Sequence, residues 1–120
     1  MNEKLLQLVR LLTERTDAGK VKWSQVFEGV FRTTVANSLI RISQGEKEIE
    51  VDDGEWKSFP LINIAVTNPD GEVVEDEDVV EGDSGFVSSE RLFKAARRSA
   101  THGDELLDEL LNNLKQTSRS

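Results

Sequence analysis

Acids are the most numerous side chains here that could do chemistry, and they are unevenly placed. Asp70, Glu72, Glu75, Asp76, Glu77, Asp78, Glu81 and Asp83 form one run that contains no Lys or Arg. The formal charge is -8, from 23 acids against 15 Lys and Arg, so outside this run of eight the chain is close to neutral. Asp76, Asp78, Glu81 and Asp83 are oxygen donors of the kind that hold a divalent cation. Their spacing does not fit an EF-hand loop, which places Asp or Asn at positions 1, 3 and 5 and Gly at 6, so no specific metal site is expected. A charge block of this kind is ordinarily a solvated loop. Its functional alternative is that Glu75, Asp76, Glu77, Asp78, Glu81 and Asp83 are presented to a basic protein, as in an inhibitor or immunity-type protein steered by charge.

Bases gather once, at Arg91, Lys94, Arg97 and Arg98, and three of them, Arg91, Lys94 and Arg98, share one side of a helix. Such a cluster could hold a phosphate, but no Gly-rich cradle or helix-start Lys accompanies it, and attraction to the neighbouring acids explains it more simply. His102 is the single histidine, which suits a surface or helix-end position better than a metal centre or general base. Gly82-Asp83-Ser84-Gly85 repeats the tetrapeptide around the nucleophile of trypsin-like proteases. In that triad the histidine precedes the serine, whereas His102 follows Ser84, so the tetrapeptide reads as an ordinary turn. With no nucleophile, base and metal constellation, the chain is expected to be noncatalytic and to need no cofactor.

The elements that would carry these residues are those of a single α+β domain, for which 120 residues suffice. Leu5, Leu8, Val9 and Leu12 fall on one helical face and predict a helix from about Asn2 to Arg15, stopped near Gly19. Leu6 and Leu11 widen the apolar arc and leave room for a second contact. Trp23, Val26 and Phe27 lie in a connector, with Trp23 expected in the core. Phe31, Thr33 and Val35 alternate, as do Ile40 and Ile42, giving either two strands with a tight turn at Asn37 or one bulged strand. Gly45 interrupts the alternation and Ile49 and Val51 resume it before a turn at Asp52-Asp53-Gly54. The run Phe59 to Glu75 holds the strongest strand signal, with Ile62, Ile64 and Val66 on one face and a turn at Asn68-Pro69-Asp70-Gly71. An antiparallel meander of about four strands over 30–75 follows, with an acidic loop over 76–87.

A C-terminal helical region is expected over 88–116, capped by Ser88 or Ser89, with Glu90 and Lys94 spaced for an ion pair. His102-Gly103-Asp104 reads as a break, Gly ending one helix and Asp104 capping the next. Yet Phe93, Ala96, Ala100, Gly103, Leu107, Leu110 and Leu114 are spaced 3, 4, 3, 4, 3, 4, so one unbroken helix of about 40 Å would align them on a single seam. Gly inside a helix costs about 1 kcal/mol, which favours the break. The surplus of Leu and Ala predicts self-association, a homodimer joined through Ala96, Ala100, Leu107, Leu110 and Leu114.

The runs INIAVTNPDGEVVE and LFKAARRSATHGDELLDELL resemble a group of small, uncharacterised bacterial proteins with a helix, a strand meander and C-terminal helices. The resemblance covers about the last half of the chain and implies the fold but no activity. The lack of cysteine, of a signal-peptide pattern and of a membrane-length apolar run predicts a cytoplasmic protein. Its expected partner is protein, with no nucleic acid and no membrane, since the net charge supplies no basic face.

Overall fold

The computed structural model describes residues 1–117, except for the side chains of Asp104 and Thr117. Helix α1 (Glu3–Asp17) opens the chain, its first turn capped by the Asn2 side chain, which accepts from the Leu5 N–H at 2.8 Å. Five strands follow, β1 (Ser24–Phe27), β2 (Val30–Val35), β3 (Ser38–Asp52), β4 (Glu55–Thr67) and β5 (Val73–Val80), and helices α2 (Phe86–Ala100) and α3 (Gly103–Thr117) complete the α+β fold. The strands form one antiparallel sheet in the order β1-β2-β3-β4-β5, each joined to the next in sequence.

Four turns join the strands, the first at Glu28-Gly29 with Gly29 at φ +74°. Ala36 and Asn37 both adopt positive φ, 51° and 64°, which gives the two-residue β2–β3 connection the twist that antiparallel strands need. This resolves the Asn37 region as two strands. After the C-terminal end of β4 the Asn68 side chain accepts from the Asp70 and Glu72 N–H groups at 3.0 and 2.9 Å, and Gly71 takes φ +87°. The expected turn therefore forms. Between Asp52 and Glu55, Gly54 takes φ +79° and donates its N–H to the Glu50 carboxylate at 3.1 Å.

Alternation divides the sheet into two faces. Phe31, Ile40, Ile42, Ile62, Ile64 and Val79 point to one side, where Leu5, Val9 and Leu12 of α1 and Phe86, Leu92, Phe93 and Ala96 of α2 close the core. Phe31 and Phe93 meet with ring centroids 5.5 Å apart in a tilted pair. Trp23 is buried as expected, its indole nitrogen donating to the Thr16 hydroxyl at 2.9 Å. Leu6 is half-buried beside Gly85, while Leu11 stays exposed.

Several boundaries differ from those expected, each for a physical reason. The sheet has five strands because Ser24–Phe27 adds β1, and Gly45 interrupts nothing because its backbone pairs with Leu61 inside a continuous ladder. The 76–87 segment is not all loop. Its first half extends β5, paired to β4 from Thr67↔Val73 to Leu61↔Val80 and anchored by buried Val79. An edge strand tolerates such acids because water reaches it, and the charge guards its open edge. Helix α2 begins at Phe86 with Gly85 as its N-cap, so Ser88 and Ser89 lie within it and cap nothing.

The break between α2 and α3 forms, although with a different residue at the pivot. His102 takes the left-handed conformation, φ 55°, and Gly103 opens the next helix. The Asp104 side chain lies outside the described residues. Two parts of the molecule extend past the core: α3, and the end of the β3–β4 hairpin, where neither β2 nor β5 reaches. The radius of gyration, 17.4 Å, accordingly exceeds the roughly 13–14 Å of a compact chain this long. Among the described residues no helix is long and apolar enough to cross a membrane.

Candidate functional site

Helix α3 is where sequence and structure disagree with ordinary burial. It meets α2 where Gly103 lies against Arg98, and every described side chain from Glu105 to Gln116 is exposed. Leu106, Leu107, Leu110, Leu111 and Leu114 keep between 49% and 67% of their surface in water. A free helix of this length is marginal in water, and in folded proteins an apolar face is normally covered. The five leucines span an arc of about 140° on a helix that turns about 100° per residue. A coiled-coil seam is narrower.

The break separates the residues that one continuous helix would have aligned. Ala96 is fully buried in the core and Ala100 packs half-buried against it. Of the five expected assembly residues, Ala96 is therefore a core residue, and the exposed set is Leu107, Leu110 and Leu114 joined by Leu106 and Leu111. The positive φ at His102 redirects the chain by enough to move the leucines off the Ala96 line.

The acids divide as well, because residues in a strand alternate faces. Glu75 and Glu77 lie on the helix side of β5, where Glu77 meets the Met1 amino group at 2.9 Å and Glu75 accepts from the Asn2 amide at 3.5 Å. Asp76 and Asp78 lie on the opposite side and share the Asn63 amide, which donates to them at 2.7 and 2.8 Å. Glu81 and Asp83 are in the following turn, where the Asp83 carboxylate accepts from the Val80 N–H at 3.1 Å. The six expected partner-binding acids thus form no single face. Among the described residues no group of three or more His, Asp and Glu side chains could hold a metal ion.

On α2, Lys94 pairs with Glu90 at 3.7 Å as the spacing predicts, and the Arg97 guanidinium lies 5.7 Å from the Phe93 ring centroid. The acids that were to attract this cluster find partners instead on the N-terminus and β4. Ser84 and His102 flank opposite ends of α2, about 22 Å apart at about 1.5 Å per residue, so they cannot act as nucleophile and base. A cavity of about 170 Å³ beside Trp23 collects Asp17, Lys22, Ser99, His102 and Glu105. It is smaller than the roughly 300–1,000 Å³ of typical ligand sites, and its charges are mixed in sign.

One surface escaped the reading of the sequence. The sheet face turned away from α1 and α2 carries Arg32 directly opposite Arg41, with Lys47 and Lys57 further along β3 and β4. All four are exposed. The signal was present as charged residues interleaved with Phe31, Ile40 and Ile42, and it becomes visible only once strand pairing is known.

Comparison with protein-family models, with curated proteins and with solved structures found no match for this chain.

Proposed function

We propose that the chain is a noncatalytic protein-interaction module that associates with itself through its C-terminal helix. The observation that carries this reading is the leucine face of α3, five large apolar side chains about half exposed on a helix that the other described residues leave uncovered. Burying a leucine completely gains about 1.5–3 kcal/mol, so the ten leucines of two copies offer a driving force comparable to the roughly 4–15 kcal/mol that association costs. A dimer is the simplest closed assembly. A reducing cytoplasm is the compartment we propose, consistent with a chain that uses no cysteine.

Light scattering on the intact chain and on the Leu107→Glu/Leu110→Glu variant tests the reading. A dimer that becomes monomeric in the variant supports it, and an intact chain that is monomeric at tens of micromolar ends it. Both substituted positions are exposed, so the variant should keep its fold.

The second reading is an acidic inhibitor or immunity-type protein that presents residues 70–83 to a basic partner. It is favoured by the position of β5 at the sheet edge, where Asp76 and Asp78 are exposed. It draws on only part of the acidic run, since Glu75 and Glu77 turn towards the N-terminus.

A further inference from the structure

The leucine arc of α3 is wider than one partner helix covers, and we infer that the α3 helices of four copies pack as an antiparallel four-helix bundle, two of the dimers proposed above joining through it. The inference rests on that self-association and specifies what the leucines meet.

Width sets the number of helices. At about 100° per residue, Leu107, Leu110 and Leu114 occupy about 60° of the helix surface, the narrow seam that a single neighbouring helix covers. Leu106 lies about 40° beyond this seam on one side and Leu111 about 40° beyond it on the other. In a pair of helices these two would stay at the wet margins, although they are as apolar as the three between them and as exposed, at 54% and 53%. In a square bundle each helix has two neighbours about 90° apart, and a seam towards each widens the covered face to about 150°. The five leucines span about 140°, so a bundle of four uses all of them. Three helices cannot all run antiparallel to their neighbours.

Charge sets the direction. Beyond Leu111 the arc is bordered by exposed Asp108 and Lys115, seven residues apart and so nearly in line along the helix. Antiparallel neighbours that meet along this border bring Asp108 of each beside Lys115 of the other, twice over. The opposite border, beyond Leu106, carries Glu109. A parallel ring would join the two unlike borders at the same height and set Asp108 beside Glu109, two acids together. The remaining acid of the first turns, Glu105, lies on the side away from the leucines and faces water in the bundle.

Placement favours the same arrangement. Helix α3 leaves the sheet and the other two helices at the His102 break, and its described side chains from Glu105 to Gln116 are exposed all round. Packed helices lie about 8–10 Å apart, whereas the smallest dimension of the chain is 25 Å. Four parallel helices would crowd four such bodies at one end. Antiparallel helices divide them two and two between ends about 22 Å apart, at about 1.5 Å per residue over 15 residues, and the assembly closes with dihedral symmetry.

Sedimentation of the full-length chain across a concentration series tests this. The parent should reach a tetramer, Leu106→Gln/Leu111→Gln should stop at a dimer, and Leu107→Glu/Leu110→Glu should be monomeric. A parent that saturates as a dimer overturns the bundle and leaves self-association through α3 standing, whereas a monomeric parent overturns both. A tetramer that Leu106→Gln/Leu111→Gln leaves intact also overturns the bundle, because the outer leucines would then be idle. Direction is read from charge. Asp108→Lys should raise the dissociation constant of the tetramer about tenfold, and Asp108→Lys/Lys115→Asp, which restores each pair with its signs exchanged, should recover most of the loss. An Asp108→Lys variant that assembles as well as the parent, or more tightly, overturns the antiparallel arrangement. Circular dichroism confirms that each variant is folded.

Discussion

The Trp23 indole nitrogen donates to the Thr16 hydroxyl across 2.9 Å, and this bond fixes the end of α1 to the start of the sheet. The surrounding chain reinforces the junction. The Trp23 backbone N–H donates to the Ser99 hydroxyl of α2 at 3.0 Å, and the Thr33 hydroxyl of β2 donates to the Lys22 carbonyl at 2.7 Å. Three elements therefore share one small polar cluster at the rim of the core. Thr16→Val keeps the side-chain shape but removes the acceptor and leaves a buried indole N–H unpaired. It should cost about 1–3 kcal/mol in urea unfolding followed by Trp fluorescence, with Thr16→Ser close to the parent. An unchanged midpoint for Thr16→Val would show that the bond contributes nothing to stability.

Ser89 poses the opposite case. It is fully buried, and its hydroxyl has no hydrogen-bond partner. It sits on the buried side of α2 with Phe86, Leu92, Phe93 and Ala96, so its small size suits the position while its oxygen bonds to nothing. Ser89→Ala should raise stability by up to about 1 kcal/mol, because it removes a desolvated polar group without opening a large cavity. Ser89→Leu should cost about 1–3 kcal/mol by overpacking the same position. Thermal denaturation of the two variants checks both signs, and a loss on Ser89→Ala would mean that the hydroxyl is satisfied in solution.

The β2–β3 turn contains a removable strain. Ala36 holds φ at 51°, a conformation that costs an L-residue with a Cβ roughly 1–2 kcal/mol and a glycine little. Ala36 is exposed and makes no core contact. Ala36→Gly should therefore stabilise the fold by about 0.5–1 kcal/mol, the rest being offset by the greater freedom glycine gives the unfolded chain. A lower melting temperature in this variant would contradict the strain.

The features legible in the sequence are those set by local chemistry. Asn68-Pro69-Asp70-Gly71 announces its turn, Leu5, Val9 and Leu12 announce the buried side of α1, and Glu90 and Lys94 announce their pair. What escaped was set by neighbours distant in sequence. The acids of β5 are poor strand formers taken singly, and they are extended because Val79 is buried and Leu61 to Thr67 offer a ladder. The Ala and Leu residues that one unbroken helix would align are parted at the expected break, and only its pivot differs, at His102 with φ 55° instead of Gly103. Whether Arg32 and Arg41 would face each other was a question of register, which periodicity within a single strand does not contain.

Asn63 separates two carboxylates, and its role can be divided experimentally into hydrogen bonding and charge spacing. Its amide donates to Asp76 at 2.7 Å and to Asp78 at 2.8 Å, using both of its hydrogens. Both acids are exposed, so losing the bonds alone leaves them hydrated. Asn63→Leu should cost no more than about 1 kcal/mol, with little dependence on salt. Asn63→Asp is nearly the same shape but places a third negative charge between the two. It should cost more than Asn63→Leu at low ionic strength and recover much of the difference near 1 M salt, where the screening length falls to about 3 Å. Urea midpoints for the two variants across a salt series make the comparison. If Asn63→Asp matches Asn63→Leu at every salt concentration, spacing of charge is not what Asn63 provides, and the open side of β5 is free to carry a denser acidic surface than it does.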